Sequence, residues 1–215
     1  MRPQITWYFD FISPYAWLQS RQLKQFSTLA DIEVKPILFA GLLKHWGQLG
    51  PAEIVPKRQW TFEQIAWLAN QIGAPLKAPP AHPFNPLPLL RACLAAGPSI
   101  DTVEKIFAFI WEQGLAVDNV VDFNSLLTKL NIKLGDLDNP AIKQALLDNT
   151  NQAIAQQVFG VPTIVLSTDS LTEQRFWGFD STPMVLSALQ GDAFWTSPQF
   201  LGASSLPRGK SRPRP

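Results

Sequence analysis

Sulfur is almost missing from this chain: Cys93 is the only cysteine in 215 residues. No disulfide can therefore close within it, and no pair of thiols is available for exchange chemistry. Cys93 stands in an apolar helical run, Leu89 to Leu94, and reads as a small buried hydrophobe. Histidine is nearly as scarce, with His45 and His82 alone. No metal-ligand cluster, phosphate-cradling glycine motif or paired-carboxylate motif stands out, so no metal is expected. Charge is thin as well, at 16% of residues and net +1, which argues against a nucleic-acid footprint. The one basic cluster, Arg208 to Arg214, is rich in proline and glycine and reads as a solvated end. No stretch approaches the roughly 20 apolar residues of a membrane span. Met1 to Gln4 lead into the first strand with no apolar signal segment, so the expected location is cytoplasmic.

What the chain does have is apolar bulk. Hydrophobic residues make up 46%, with eight Trp and fourteen Phe, enough for one sizeable core or an apolar, ring-accepting pocket. The start reads as βαβ: a strand over Ile5 to Phe9, a helix over Pro14 to Leu29, and a strand over Ile32 to Leu38 whose Pro36 points to a sheet edge. Residues from about 41 to 159 read as helical, with helices over Pro56 to Ile72, Pro86 to Ala96, Ile100 to Gln113, Val121 to Leu130 and Pro140 to Val158. Proline- and glycine-rich joints separate them. Strands return at Thr163 to Leu166 and Gln174 to Trp177, followed by a closing helix over Thr182 to Leu189. The order predicts an α/β fold: a thioredoxin-like βαβ–ββα domain, residues 1–40 and 159–192, interrupted by an all-helical insertion domain, residues 41–158. Residues 193–215 read as a partly disordered tail.

The chemistry points to Ser13-Pro14, directly after the first strand. Ser is a preferred N-cap and Pro a preferred first helical residue. The Ser13 hydroxyl thus sits where backbone N–H groups converge, a place suited to an anion such as a thiolate; simple capping is the alternative. A covalent nucleophile is disfavoured because no histidine base is recognisable nearby. His82 lies in the joint Pro79-Pro80-Ala81-His82-Pro83 and reads as a loop residue.

Tyr8 to Leu18, with Gly160-Val161-Pro162-Thr163 and Phe176-Trp177-Gly178-Phe179-Asp180, closely resembles the 2-hydroxychromene-2-carboxylate isomerase family. That family stands beside the kappa-class glutathione transferases in the disulfide-oxidoreductase-like branch of the thioredoxin superfamily. The resemblance implies that Ser13-Pro14-Tyr15-Ala16 occupies the position of a Cys-x-x-Cys motif, with both sulfurs gone. Glutathione, as cofactor, would supply the sulfur, and Ser13 would hold its thiolate. The resemblance further implies a cis bond at Val161-Pro162, with the Val161 backbone receiving the cysteinyl part of glutathione by strand-like pairing. Trp177, Gly178, Phe179, Asp180 and Ser181 would complete the cofactor site, although the family often has a basic residue where Ser181 stands. Lys44, Trp46, Gln48 and Asn85 would face a small aromatic α-keto or hydroxy acid. The implied activity is glutathione-dependent isomerisation of 2-hydroxychromene-2-carboxylate or an analogue to the trans-benzylidenepyruvate, by a homodimer. A kappa-type glutathione transferase and a non-catalytic binding module are the alternatives.

Overall fold

The computed structural model describes residues 2–171, 173–207 and 209. Four strands form one sheet: β1 (Gln4–Phe9), β2 (Asp31–Pro36), β3 (Thr163–Ser167) and β4 (Gln174–Trp177), in the order β2-β1-β3-β4. β1 runs parallel to β2 and antiparallel to β3, and β4 closes the hairpin with β3. Pro36 lies on an edge strand, where its missing N–H leaves no ladder bond unmade.

Alternation along the strands divides the molecule into two apolar layers. Ile5, Trp7 and Phe9 of β1, with Ile164 and Leu166 of β3, face the main core. Tyr8 and Val165 face a smaller cluster on the other side. Because both of their faces are covered, the central strands β1 and β3 read as nearly continuous apolar runs. The main core also takes in α1 (Pro14–Ser20), α4 (Leu87–Ala95), α5 (Ile100–Phe107) and α6 (Val120–Lys129). The smaller one is covered by α2 (Phe39–Trp46) and α7 (Pro140–Ala155). The helices between β2 and β3 therefore share the sheet's own cores. α3 (Val55–Gln71) is mostly exposed: only Ile65 and Ala69 are buried, and Trp60 and Trp67 are each 61% exposed.

Several elements differ from the sequence expectation. The helix expected over Pro14 to Leu29 stops at Ser20 and resumes as a 3₁₀ turn, Leu23–Phe26; the Ser20 hydroxyl donates to the Trp17 carbonyl at 2.7 Å near the break. Helix α2 was not foreseen, because its N-terminal partner is remote in sequence. Leu38 offers no side-chain cap, and the Phe39 N–H is met by Asp10. The helix expected over Ile100 to Gln113 becomes α5 followed by a π-helical turn, Ala108–Glu112. Beyond Gly191 the chain forms a 3₁₀ turn, Ala193–Thr196, then α9 (Pro198–Ser204). Trp195 is buried there and packs edge-on against Phe176 and Phe200. This part of the expected tail is thus docked on the sheet. The basic cluster expected as a solvated end lies outside the described residues apart from Gly209.

Candidate active site

The loop Asp10–Ser13 leaves β1 over a bed of rings. Trp7 and Phe9 stack at 4.2 Å, and Phe11 and Phe107 lie 4.8 Å apart. Asp10 is fully buried. One carboxyl oxygen accepts the Ile12 N–H at 3.1 Å and the other accepts the Phe39 N–H at 2.9 Å. Its backbone carbonyl accepts the Ser13 N–H at 3.1 Å. Burial pushes the Asp10 carboxyl up to about 7, against the downward pull of those N–H donors. The loop's carbonyls are held from the helical side. Trp111 Nε1 donates to the Phe11 carbonyl at 3.0 Å, and His82 Nε2 lies 2.9 Å from the Ile12 carbonyl.

Ser13 is the N-cap of α1, with extended backbone angles and its Oγ accepting the Ala16 N–H at 3.2 Å. The same hydroxyl lies 3.4 Å from the carbonyl oxygen of Val161, to which it donates. Residues 148 positions apart are thus brought together. The Val161–Pro162 peptide is cis, as is His82–Pro83. The loop is tied on both sides: Thr163 Oγ1 donates to the Gly160 carbonyl at 2.7 Å, and the Gly178 N–H donates to the Pro162 carbonyl at 2.9 Å. Among the described residues the Val161 N–H has no partner.

The third segment follows β4. Trp177 pairs in register with Thr163 and is 56% exposed, its ring 5.1 Å from that of Phe159. Gly160 lets the indole lie close, since a Cβ there would come within 2.5 Å of Trp177 Nε1. Gly178 has φ +89, ψ 160, a region open in practice to glycine alone. Gln19, fully buried in α1, locks this turn down. Its Oε1 accepts Trp7 Nε1 at 2.8 Å, while its Nε2 donates to the Gly178 carbonyl at 3.1 Å and to Thr182 Oγ1 at 3.3 Å. Phe179 and Asp180 open a 3₁₀ turn that runs into α8 (Thr182–Leu189), so their amides lack partners within the turn. Ser181 points inward and donates to the Gly178 carbonyl at 2.7 Å. Asp180 is exposed; its charge adds to burial in raising the Tyr15 phenol. The Tyr15 hydroxyl donates to Gln64 of α3 at 2.6 Å.

The residues expected to face substrate are more dispersed. Lys44 and Gln48 are exposed, at and just past the end of α2. Trp46 donates its indole N–H to the Val158 carbonyl at 2.8 Å and packs in the smaller cluster beside Val161. Asn85 accepts the Leu87 N–H at 3.1 Å at the start of α4. It lines a cavity of about 420 Å³ with Pro79, Pro83, Phe84, Ile110 and Val117. A second cavity, about 650 Å³, lies between Arg21 and Glu104. Neither is lined by Ser13 or Val161. No cluster of three or more His, Cys, Asp or Glu side chains suited to a metal occurs among the described residues. Sequence reasoning missed Gln19 and His82 as parts of the site. A buried glutamine in a helix and a histidine in a proline-rich joint carry no signal of whom they meet.

The DSBA-like thioredoxin domain model matches residues 4–190. The chain is 25% identical over 212 residues to glutathione S-transferase kappa 1 of Rattus norvegicus, covering 89% of this chain and 92% of that protein. It is 26% identical over 199 residues to a 2-hydroxychromene-2-carboxylate isomerase of Pseudomonas putida, covering 86% and 93%. Among solved structures, a 2-hydroxychromene-2-carboxylate isomerase superposes with a TM-score of 0.73 at 23% identity, over 90% of this chain and 97% of that one.

Proposed function

The chain belongs to the DSBA-like thioredoxin domain family, and on that premise we propose that it is a glutathione-dependent isomerase of a small aromatic acid, with Ser13 holding the glutathione thiolate. One observation carries the reading: the Ser13 hydroxyl stands 3.4 Å from the Val161 carbonyl, where a redox member of this fold would keep sulfur. The only cysteine, Cys93, is buried on α4. Dithiol exchange has no reagent in this chain.

The residues present fit the tripeptide. Val161 offers an unpartnered N–H and a carbonyl to an extended backbone. The amides of Phe179 and Asp180 open a helical turn suited to a carboxylate, while Trp177 and Phe159 supply an exposed apolar wall. Glutathione, held by these residues, would supply a thiolate for reversible addition to a conjugated carbon, the chemistry that frees a double bond to rotate. The protein's part is electrostatic. The Ser13 Oγ is held in place by the Ala16 N–H, and its proton turns from the long bond to Val161 toward an arriving sulfur. That donation favours thiolate over thiol. Lys44, Gln48 and Asn85 are the side chains offered to the acid's carboxylate and ring substituents, with Lys44 the charged partner.

Transferase chemistry is the second reading, supported by the kappa-class name of a relative as similar as the isomerase. The two separate on free thiol: isomerisation leaves glutathione titre constant, whereas transfer to an electrophile such as a halo-dinitrobenzene consumes it mole for mole. Ser13→Ala removes the thiolate donor, and glutathione-dependent turnover is expected to fall by about 10- to 100-fold. Loss of the N-cap is expected to cost only about 1 kcal/mol of stability. Turnover equal to the parent's in a folded Ser13→Ala protein would end the proposal.

A further inference from the structure

We propose that His82 is a positioning residue for Ser13: the proton it donates from Nε2 to the Ile12 carbonyl fixes where the Ser13 hydroxyl stands. This rests on the reading of Ser13 given above. A carbonyl oxygen only accepts, so at 2.9 Å the imidazole nitrogen facing Ile12 must carry the hydrogen. The other nitrogen, Nδ1, is buried and has no partner. A neutral ring protonated on Nε2 is therefore the form these surroundings accept, since a second N–H would be buried without an acceptor. Burial lowers the ring's affinity for a second proton, and the Arg58 charge adds to that, against the upward pull of the Ile12 hydrogen bond.

Three rings surround the imidazole: Phe62 edge-on at 5.2 Å, Phe84 edge-on at 6.1 Å and Trp111 tilted against it at 5.8 Å. Arg58 sits over Phe62 and donates from Nε to the His82 carbonyl at 3.2 Å, pinning the backbone behind the ring. Trp111, in contact with His82, holds the preceding carbonyl, that of Phe11. Two successive carbonyls are thus fixed from the helical side, while Asp10 holds the amides of Ile12 and Ser13 from the strand side. The Ile12 carbonyl and the Ser13 nitrogen belong to one rigid peptide plane. Releasing that carbonyl lets the plane turn and carries the N-cap residue with it. Displacements near 1 Å at a reacting group can cost on the order of 100-fold in rate.

The test compares His82→Phe, which keeps a ring and removes the donor, with His82→Gln, whose Nε2 donates from nearly the same point. In the unliganded parent, ¹⁵N NMR should show a neutral His82 protonated on Nε2; protonation on Nδ1 overturns the proposal. Hydrogen exchange at the Ile12 and Ser13 amides should quicken in His82→Phe, with the β1–β3 ladder unchanged, and return toward the parent rate in His82→Gln. With glutathione and 2-hydroxychromene-2-carboxylate, His82→Phe should lower kcat by about 10- to 100-fold with little change in the KM for glutathione, and His82→Gln should recover most of that loss. Equal exchange in all three proteins, or a glutamine variant as impaired as the phenylalanine one, overturns the assignment. Should His82→Phe not fold, the ring's protonation and the glutamine variant decide by themselves. Should the parent show no glutathione chemistry, the function proposal fails while NMR and exchange still judge the hydrogen bond.

Discussion

Asp10 shows how one side chain can serve two distant stretches of chain. Its two oxygens receive N–H groups from Ile12 and Phe39, and among the described residues no ion pair reaches it. Burial raises its carboxyl from 3.8 to about 7, so the folded protein holds that proton more tightly than the unfolded chain does. The stabilisation is complete below the unfolded value and is lost as pH rises through the folded one. Urea-unfolding free energy should therefore decline between about pH 4 and pH 7, with a slope of at most roughly 1.4 kcal/mol per pH unit. Asp10→Asn should flatten that decline; an unchanged slope would mean another group carries the proton. Cys93 makes a second test at this scale. It is fully buried, and burial raises its thiol well above the ordinary range. A thiol alkylator should leave the native protein unlabelled and its glutathione-dependent turnover intact, and should label one site only after denaturation. Labelling of the native protein would contradict the burial. The sequence made Cys93 legible as a core residue because its neighbours are apolar, but it left the partners of Asp10 hidden.

Among the elements, the turn after β4 joins sheet, helix and site. Gly178 adopts φ +89, and a Cβ there would also meet Asp180 at 2.5 Å. Gly178→Ala is expected to destabilise the protein by about 1–3 kcal/mol, read as a lowered urea midpoint. It should weaken glutathione binding in calorimetry as well, because the Phe179 and Asp180 amides turn with that residue. Unaltered binding would remove this turn from the site. Sequence patterns made β3, β4 and α8 legible to within a residue, since each is marked by local β-branching, turn residues or a cap. They failed where local rules yield to remote partners. The cap of α2 comes from Asp10, and the π turn at Ala108–Glu112 places Trp111 against Phe11 and Glu112 against Trp17. Neither cause lies within the segment it shapes.

Considered whole, the protein keeps sheet and inserted helices in a common interior. Trp7, Phe9 and Phe11 from the first strand region pack with Phe107 from α5. That sharing predicts one cooperative transition: tryptophan fluorescence and far-ultraviolet dichroism should trace superimposable urea curves. Phe107→Ala, which empties space between the sheet and α5, should lower stability by about 3–5 kcal/mol while keeping the curves superimposed. Separate transitions would show that the helical segment folds by itself. No helix among the described residues is long and apolar enough to cross a membrane.

The sequence alone determined the sheet-forming segments, most of the helices and the absence of a cysteine pair at the head of α1. Each of those follows from residue type and short-range spacing, which act along the chain. The tertiary structure decided which groups meet the loop Asp10–Ser13. Val161, His82 and Trp111 come to the loop from 148, 70 and 100 positions away along the chain. Contacts at such separations are set by how the layers pack, and no local pattern encodes them.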